Sequence, residues 1–455
     1  MSEQSASLPA QRPASDVSAA VGLAGLAGLF VWVMFCRHWP YLVDTFGLPG
    51  PHARLDGPYA ALTSLVFVAL PMVAVSLIKD KVHLRPSTGI DWARPHSLAE
   101  VAEVSIIKLG GLWATWAGIG LMYGLARWYW SGDYLFAMEV IGYAAAPLFV
   151  LSIPYVLWLD RYLVNPRDHA WHFGAMLLRH GNYDIAEVKK HWRAWIIKGF
   201  FGAFMISILP GGFQGVVNTD FGAIAANPVE IGMALVSLLF LIDVQVGTVG
   251  YLVTMRPLDA HIRSGNPFLA GWVAALLCYP PLNGIGVLDY GVGTPGMAEN
   301  NWTFWFAGHP GVMWVWAALL TGLTGYYAWA TVAFGLRFSN LTYRGVITNG
   351  PYAFTRHPAY LAKNTFWWLS TLPFLVTDGS TVDAVRNGFF LACVSGIYYW
   401  RARTEEMHLL SEDAKYRAYH AWMAEHGAIT ARLRKLLRGE WLRRPAAPAI
   451  PEPAE

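Results

Sequence analysis

Charge is what this chain has least of: Asp, Glu, Lys and Arg make up 14% of its 455 residues, where a soluble domain carries about 25%. A chain so poor in charge cannot be wetted on all sides, which excludes an ordinary water-soluble globule. Cysteine is nearly absent as well. Cys36, Cys278 and Cys393 lie in or at the ends of apolar runs, at spacings that fit neither a disulfide framework nor a zinc site. A strongly basic character is missing too. The formal net charge is only +3, which argues against a nucleic-acid partner and reads as orientation charge with some attraction to anionic headgroups. The first twenty residues are polar and poor in Lys and Arg, unlike a cleaved signal peptide. His169 and His172 are three residues apart but have no convergent third ligand, so no metal site is expected.

What the chain does have is long apolar runs, with 55% hydrophobic residues. Runs of spanning length fall near 18–36, 59–78, 104–125, 134–158, 196–217, 229–255, 267–286, 311–336, 364–378 and 385–401. The last two are short, and 267–286 is broken by Pro280-Pro281. The expectation is an all-α fold, a polytopic membrane helical bundle of about ten transmembrane helices.

Basic residues cluster in alternate loops: Lys79, Lys81, Arg85 and Arg94, then Arg161 to Arg193, Arg256 and Arg263, Arg337 to Lys363, and the tail after Arg401. Loops 218–228 and 287–309 contain neither Lys nor Arg, while Arg37, Arg54, Arg127 and Arg386 are exceptions on that side. The positive-inside pattern then puts both termini in the cytoplasm, in a bacterial inner membrane. The chain divides into an N-terminal tail (1–17), a multi-span region (18–335), a C-terminal membrane module (336–440) and a Pro/Ala-rich tail (441–455) expected to be disordered.

Smaller signals sort by physical reason. Gly22, Gly25 and Gly28 lie at helical spacing and predict close helix packing. Trp171 to Leu178, followed by Gly181-Asn182, reads as a helix lying on the membrane surface and ended by glycine. Thr404 to about Leu437 reads as another helix. Gly291-x-Gly293-x-x-Gly296 matches a dinucleotide fingerprint in letters only, with Pro295 inside it and no strand before it. Asp243, inside an apolar run, is costly there and therefore a functional candidate, with Lys108 as its expected partner.

One stretch is dense in chemistry. Asn349-Gly350-Pro351-Tyr352 leads to Arg356-His357-Pro358-x-Tyr360; an apolar hairpin follows, and then Arg403-Thr404-Glu405-Glu406. A hairpin returns its ends to one face, so the two halves meet there despite their separation in sequence. Pro358 suits a first helical turn, and the loop before it offers backbone N–H groups to a carboxylate. Two adjacent carboxylates suit an amine and a ribose hydroxyl. Tyr352, Tyr360, Trp367 and Trp368 are candidate faces for a cation, though tryptophans at such a boundary more often anchor the membrane interface.

Gly350-Pro351-Tyr352, Arg356-His357-Pro358-x-Tyr360, the hairpin, Glu405-Glu406-x-x-Leu409 and Tyr416-x-x-Tyr419 resemble the isoprenylcysteine carboxyl methyltransferase family and the wider phospholipid methyltransferase group. The likeness covers about 90 residues. It implies a membrane enzyme that uses S-adenosylmethionine and a membrane lipid or other amphiphile. By position it implies that Gly350, Tyr352, His357, Pro358, Tyr360, Glu405 and Glu406 bind the cofactor, and that Arg356, Arg403 and Glu405 serve catalysis. The chain departs from the family at Ala362-Lys363-Asn364, where members often carry glycine, and in its first 330 residues. Two other readings share parts of the pattern: an NADPH-dependent sterol-type reductase, and a transporter built around Asp243 and Lys108.

Overall fold

The computed structural model describes residues 11–282, 301–373, 375 and 380–432; the Gly291–Gly296 string and the tail 441–455 lie outside them. Six helices are long and apolar enough to cross a bilayer: α1 (Ala19–Phe46), α2 (Pro58–Ile78), α3 (Leu98–Leu125), α4 (Tyr134–Tyr162), α6 (Ile185–Asn218) and α8 (Pro228–Leu252). Even the shortest, α2 with 21 residues, reaches about 31 Å at 1.5 Å per residue, the thickness of the hydrocarbon core. The short α5 (His169–Leu178) and α7 (Phe221–Ile224) lie between them.

Beyond α8 come α9 (Leu269–Leu276), α10 (Trp302–Trp305), α11 (Pro310–Phe334), α12 (Pro358–Thr371), α13 (Thr381–Glu412) and α14 (Ala414–His426). Strands β1 (Ser264–Gly265) and β2 (Thr342–Tyr343) pair antiparallel. The protein is therefore an all-α membrane bundle. Of the remaining expected runs, 267–286 is described as far as 282, and that part holds the eight-residue α9. Run 364–378 falls on the 14-residue α12, run 311–336 on α11, and run 385–401 on the middle of the 32-residue α13, whose ends are charged.

Small residues set the closest helix contacts, as expected. A side chain at Gly22 would run into the Val332 carbonyl, one at Gly25 into Met72, and one at Gly28 into the Phe67 carbonyl. Glycine thus lets α1 lie directly on α2 and α11. Around this seam Val21, Leu29, Met72, Phe213, Leu241 and Val332 form the main core.

The helix expected on the membrane surface packs against α3. Trp171 and Phe173 of α5 are buried, and Gly174 meets the backbone of Ile107 on α3. It ends at Arg179, in the left-handed region at φ 51°, before Gly181. Lys108 explains the docking. Its Nζ lies 2.5 Å from Asp160 on α4 and 3.2 Å from Asp168, the N-cap of α5. It is therefore not the partner of Asp243. His169 bonds His191, Nδ1 to Nδ1 at 3.0 Å, while His172 accepts from the Asp184 N–H, so these two histidines point to different partners. The helix expected over 404–437 is divided at Asp413, which ends α13 and caps α14.

The loops rich in basic residues converge at one end of the bundle. Ile90 bridges Leu163, Ser87 donates to Asp259, Arg263 to the Tyr343 hydroxyl, and β1 joins β2. At the opposite end Arg37 and Arg54 donate to the last carbonyls of α6, Val216, Val217 and Asn218, at 2.8–3.2 Å. These two exceptions to the charge pattern cap the negative end of a helix, where a cation is favoured.

Candidate functional site

The chain enters the site through one 3-10 turn, Gly350–Ala353. His357 then sits at the N-cap of α12 and Pro358 at its first turn, where a missing N–H costs nothing. Across from it, the last part of α13 presents Arg401 and Glu405 on one side, four apart. Arg403 and Glu406, three apart, pair on the neighbouring face.

Both halves of the motif meet there. His357 Nε2 lies 3.0 Å from Glu406 Oε1, and the Tyr360 hydroxyl donates to Glu405 Oε1. Arg403 Nη1 reaches the other oxygen of Glu406 at 2.8 Å, and His420 of α14 is 3.9 Å away. Glu406 is only 2% exposed. Burial pushes its carboxyl up, but the bond from His357, the nearby His420 and the Arg356 charge outweigh that, and hold it well below the usual carboxylate range. Arg356 brings Nε within 2.9 Å of Glu406 Oε1. Its N–H is nevertheless not aimed there and has no acceptor among the described residues.

The remaining expected residues support these. Gly350 lies at φ 57° against the indole of Trp329. Tyr352 packs edge-on to Phe334, 5.2 Å between centroids, and its carbonyl accepts from the Tyr419 hydroxyl at 2.7 Å. A cavity of 170 Å³ opens beside the cluster, with Tyr352, Arg356, His357, Tyr360 and Glu405 in its wall; Gly350, Pro358, Arg403 and Glu406 are not in it. Trp367 and Trp368 face α13. Trp367 packs on Tyr398 at 5.2 Å, and Trp368 donates to Ser395 at 3.1 Å.

Several wall residues escaped the sequence reading. Arg401, 2% exposed, donates to Glu405 Oε1 at 3.3 Å and to Asn340 Oδ1 at 2.5 Å. Its guanidinium lies 5.1 Å from the Tyr360 ring, 5.6 Å from Tyr279 and 5.9 Å from Tyr398. Spacing to Glu405 was its only sequence signal. Arg344 is buried among backbone carbonyls, donating to those of Ala260, Gly250, Phe338 and Leu336. Asp243 finds its partners on α11: Tyr327 donates to it at 2.8 Å and Thr331 to its other oxygen. Both of those side chains line the cavity.

The N-terminal segment belongs to the site as well. Asp16 accepts from the Val346 N–H at 2.7 Å and its own N–H donates to the Val346 carbonyl at 2.9 Å. It pairs with Lys415 of α14 at 2.5 Å and with Arg337 at 3.4 Å. Thr348 donates to the Pro13 carbonyl and Asn349 to that of Val17. Residues 13–17 thus strap the loop leading into Arg356. Gly345, at φ 118°, lets the Arg337 guanidinium lie directly against the backbone, where any Cβ would collide with it. Set against protein-family models, curated proteins and solved structures, the chain has no match.

Proposed function

We propose that the protein is an integral-membrane methyltransferase that moves a methyl group from S-adenosylmethionine to a lipid-like or amphiphilic acceptor. In this reading the chain crosses a bacterial cell membrane about ten times, with both termini and the site on the cytoplasmic side. The observation that carries it is the convergence of His357 and Tyr360 on Glu406 and Glu405, beside a cavity they share with Arg356.

The donor set fits a ligand that carries a carboxylate, an amine and ribose hydroxyls. Arg356 has an Nε–H without an acceptor among the described residues, suited to a carboxylate. Tyr360 and Arg401 both reach Oε1 of Glu405, which leaves Oε2 to accept a hydroxyl or amine. The cofactor, when bound, supplies a methyl group already activated by its sulfonium. What remains for the protein is alignment and exclusion of water. Arg403 holds Glu406, which in turn fixes His357 at the cavity wall. Glu405 Oε2 takes the proton if the acceptor is an amine or hydroxyl. A carboxylate acceptor needs no base, and Arg356 then orients it.

Calorimetry on the detergent-purified protein with S-adenosylmethionine, S-adenosylhomocysteine and NADPH tests the reading. The first two should bind, and His357→Ala and Glu405→Ala should each weaken binding by about tenfold, the worth of one charge-assisted hydrogen bond. If folded protein binds neither sulfur compound, the proposal fails; binding of NADPH alone would move it to a reductase.

A further inference from the structure

Five cations stand in the wall of the cavity, and four of them have a protein carboxylate or carbonyl within direct reach. Arg337 pairs with Asp259 at 2.5 Å, Arg344 donates to backbone carbonyls, Arg356 lies against Glu406 and Arg401 against Glu405. Lys363 differs. It lines the cavity, and its Nζ has no hydrogen bond or ion pair among the described residues. It is surrounded by ring faces: Trp367 at 5.3 Å, Tyr327 at 5.5 Å and Tyr398 at 5.9 Å. The charge of Asp243 on α8 acts on Lys363 from beyond ion-pair distance, but that carboxylate is already bonded to Tyr327 and Thr331.

Ring faces attract an ammonium, but less strongly than the water it gave up. A cation held this way in a low-dielectric cavity is short of one anionic partner. Its depth narrows the choice of that partner. Lys363 lies five residues into α12, roughly 8 Å along the axis from Pro358, close below the end of the bundle where the basic loops gather. That depth suits the head of an amphiphile whose tail runs deeper.

We propose that Lys363 receives the anionic head of an amphiphile, a carboxylate or phosphate oxygen seated against its ammonium, with Trp367, Tyr327 and Tyr398 excluding water around the contact. The subsite selects against neutral and cationic heads. That its occupant is the methyl acceptor rests on the methyltransferase reading; the anion contact itself does not.

Native mass spectrometry of the full-length protein in nonionic detergent, titrated with dodecyl phosphate, laurate, dodecanol and dodecyltrimethylammonium, tests it. At least one of the two anions should bind about tenfold tighter than the alcohol or the ammonium, one hydrogen-bonded ion pair in a dry site. Which anion binds tighter tells a phosphate head from a carboxylate head. Lys363→Gln should bring that affinity down to the level of dodecanol, and Lys363→Arg should keep it. Equal affinity of wild type for anion and alcohol would overturn the proposal, whether or not the glutamine variant folds, and so would an unchanged Lys363→Gln. Titrating S-adenosylmethionine into the same samples separates the two claims. Anion binding without cofactor binding sinks the methyltransferase and leaves the subsite; the reverse sinks the subsite alone.

Discussion

Glu406 joins side chains from three segments: Arg356 and His357 before α12, Arg403 on its own helix, and His420 on α14. Removing the charge leaves Arg356 and Arg403 facing a neutral group, so Glu406→Gln should destabilise the fold by about 3 kcal/mol. The pH dependence follows from the sign of the shift. The folded carboxyl is held below its ordinary value, so its contribution is complete above the unfolded carboxylate pKa of about 4.3 and is lost as pH falls below that. Thermal melts of wild type should therefore drop on acidification more steeply than those of Glu406→Gln. Equal slopes would show that the carboxylate is not tied as described. At this scale the sequence pointed to His357, Tyr360, Glu405 and Glu406, because hairpin topology alone brings them to one face. It did not point to Lys363 or Arg401. Their environments come from Tyr327, Asn340 and Tyr279, which belong to segments distant in sequence.

Among elements, the strap from Pro13 to Val17 was the least legible. Its five residues carry no periodic pattern and read as a tail, because nothing local tells a bound extended segment from a free one. Its bonds are made to Val346, Thr348 and Asn349, more than 300 positions away. Asp16→Asn should loosen that loop, and faster amide hydrogen exchange at Val346 and Thr348, read by mass spectrometry, checks it; unchanged protection there would mean that the strap does not hold the loop. The opposite case is α1. Gly22, Gly25 and Gly28 announced a close packing face through spacing alone, and the contacts with Val332, Met72 and Phe67 follow. The short α5 was legible as a helix but not in its placement. Its apolar residues would suit a lipid surface as well as a protein one, and Lys108, bonded to Asp160 and Asp168, ties it to α3 and α4.

For the whole molecule, orientation is the quantity to measure. The basic loops share one end of the bundle, and on the proposed topology that end is cytoplasmic. A membrane-impermeant maleimide should label Ser131→Cys in intact cells and Arg94→Cys only after lysis; both positions are exposed, and Cys36 is fully buried. The reverse labelling would turn the bundle over and take the site to the outer face.

The sequence by itself determined that the chain is a membrane bundle of helices, since apolar run length and low charge follow from composition. It also determined which residues cluster at Arg356 to Tyr360 and at Arg403 to Glu406. Only the tertiary structure decided how each charge is met: Lys108 by two aspartates, Asp243 by hydroxyls of α11, Arg401 by Glu405 and Asn340, while Lys363 touches ring faces and no anion directly. The physical reason is that a charge in a low-dielectric interior is defined by its nearest partner, and those partners come mostly from helices that meet only when the bundle closes.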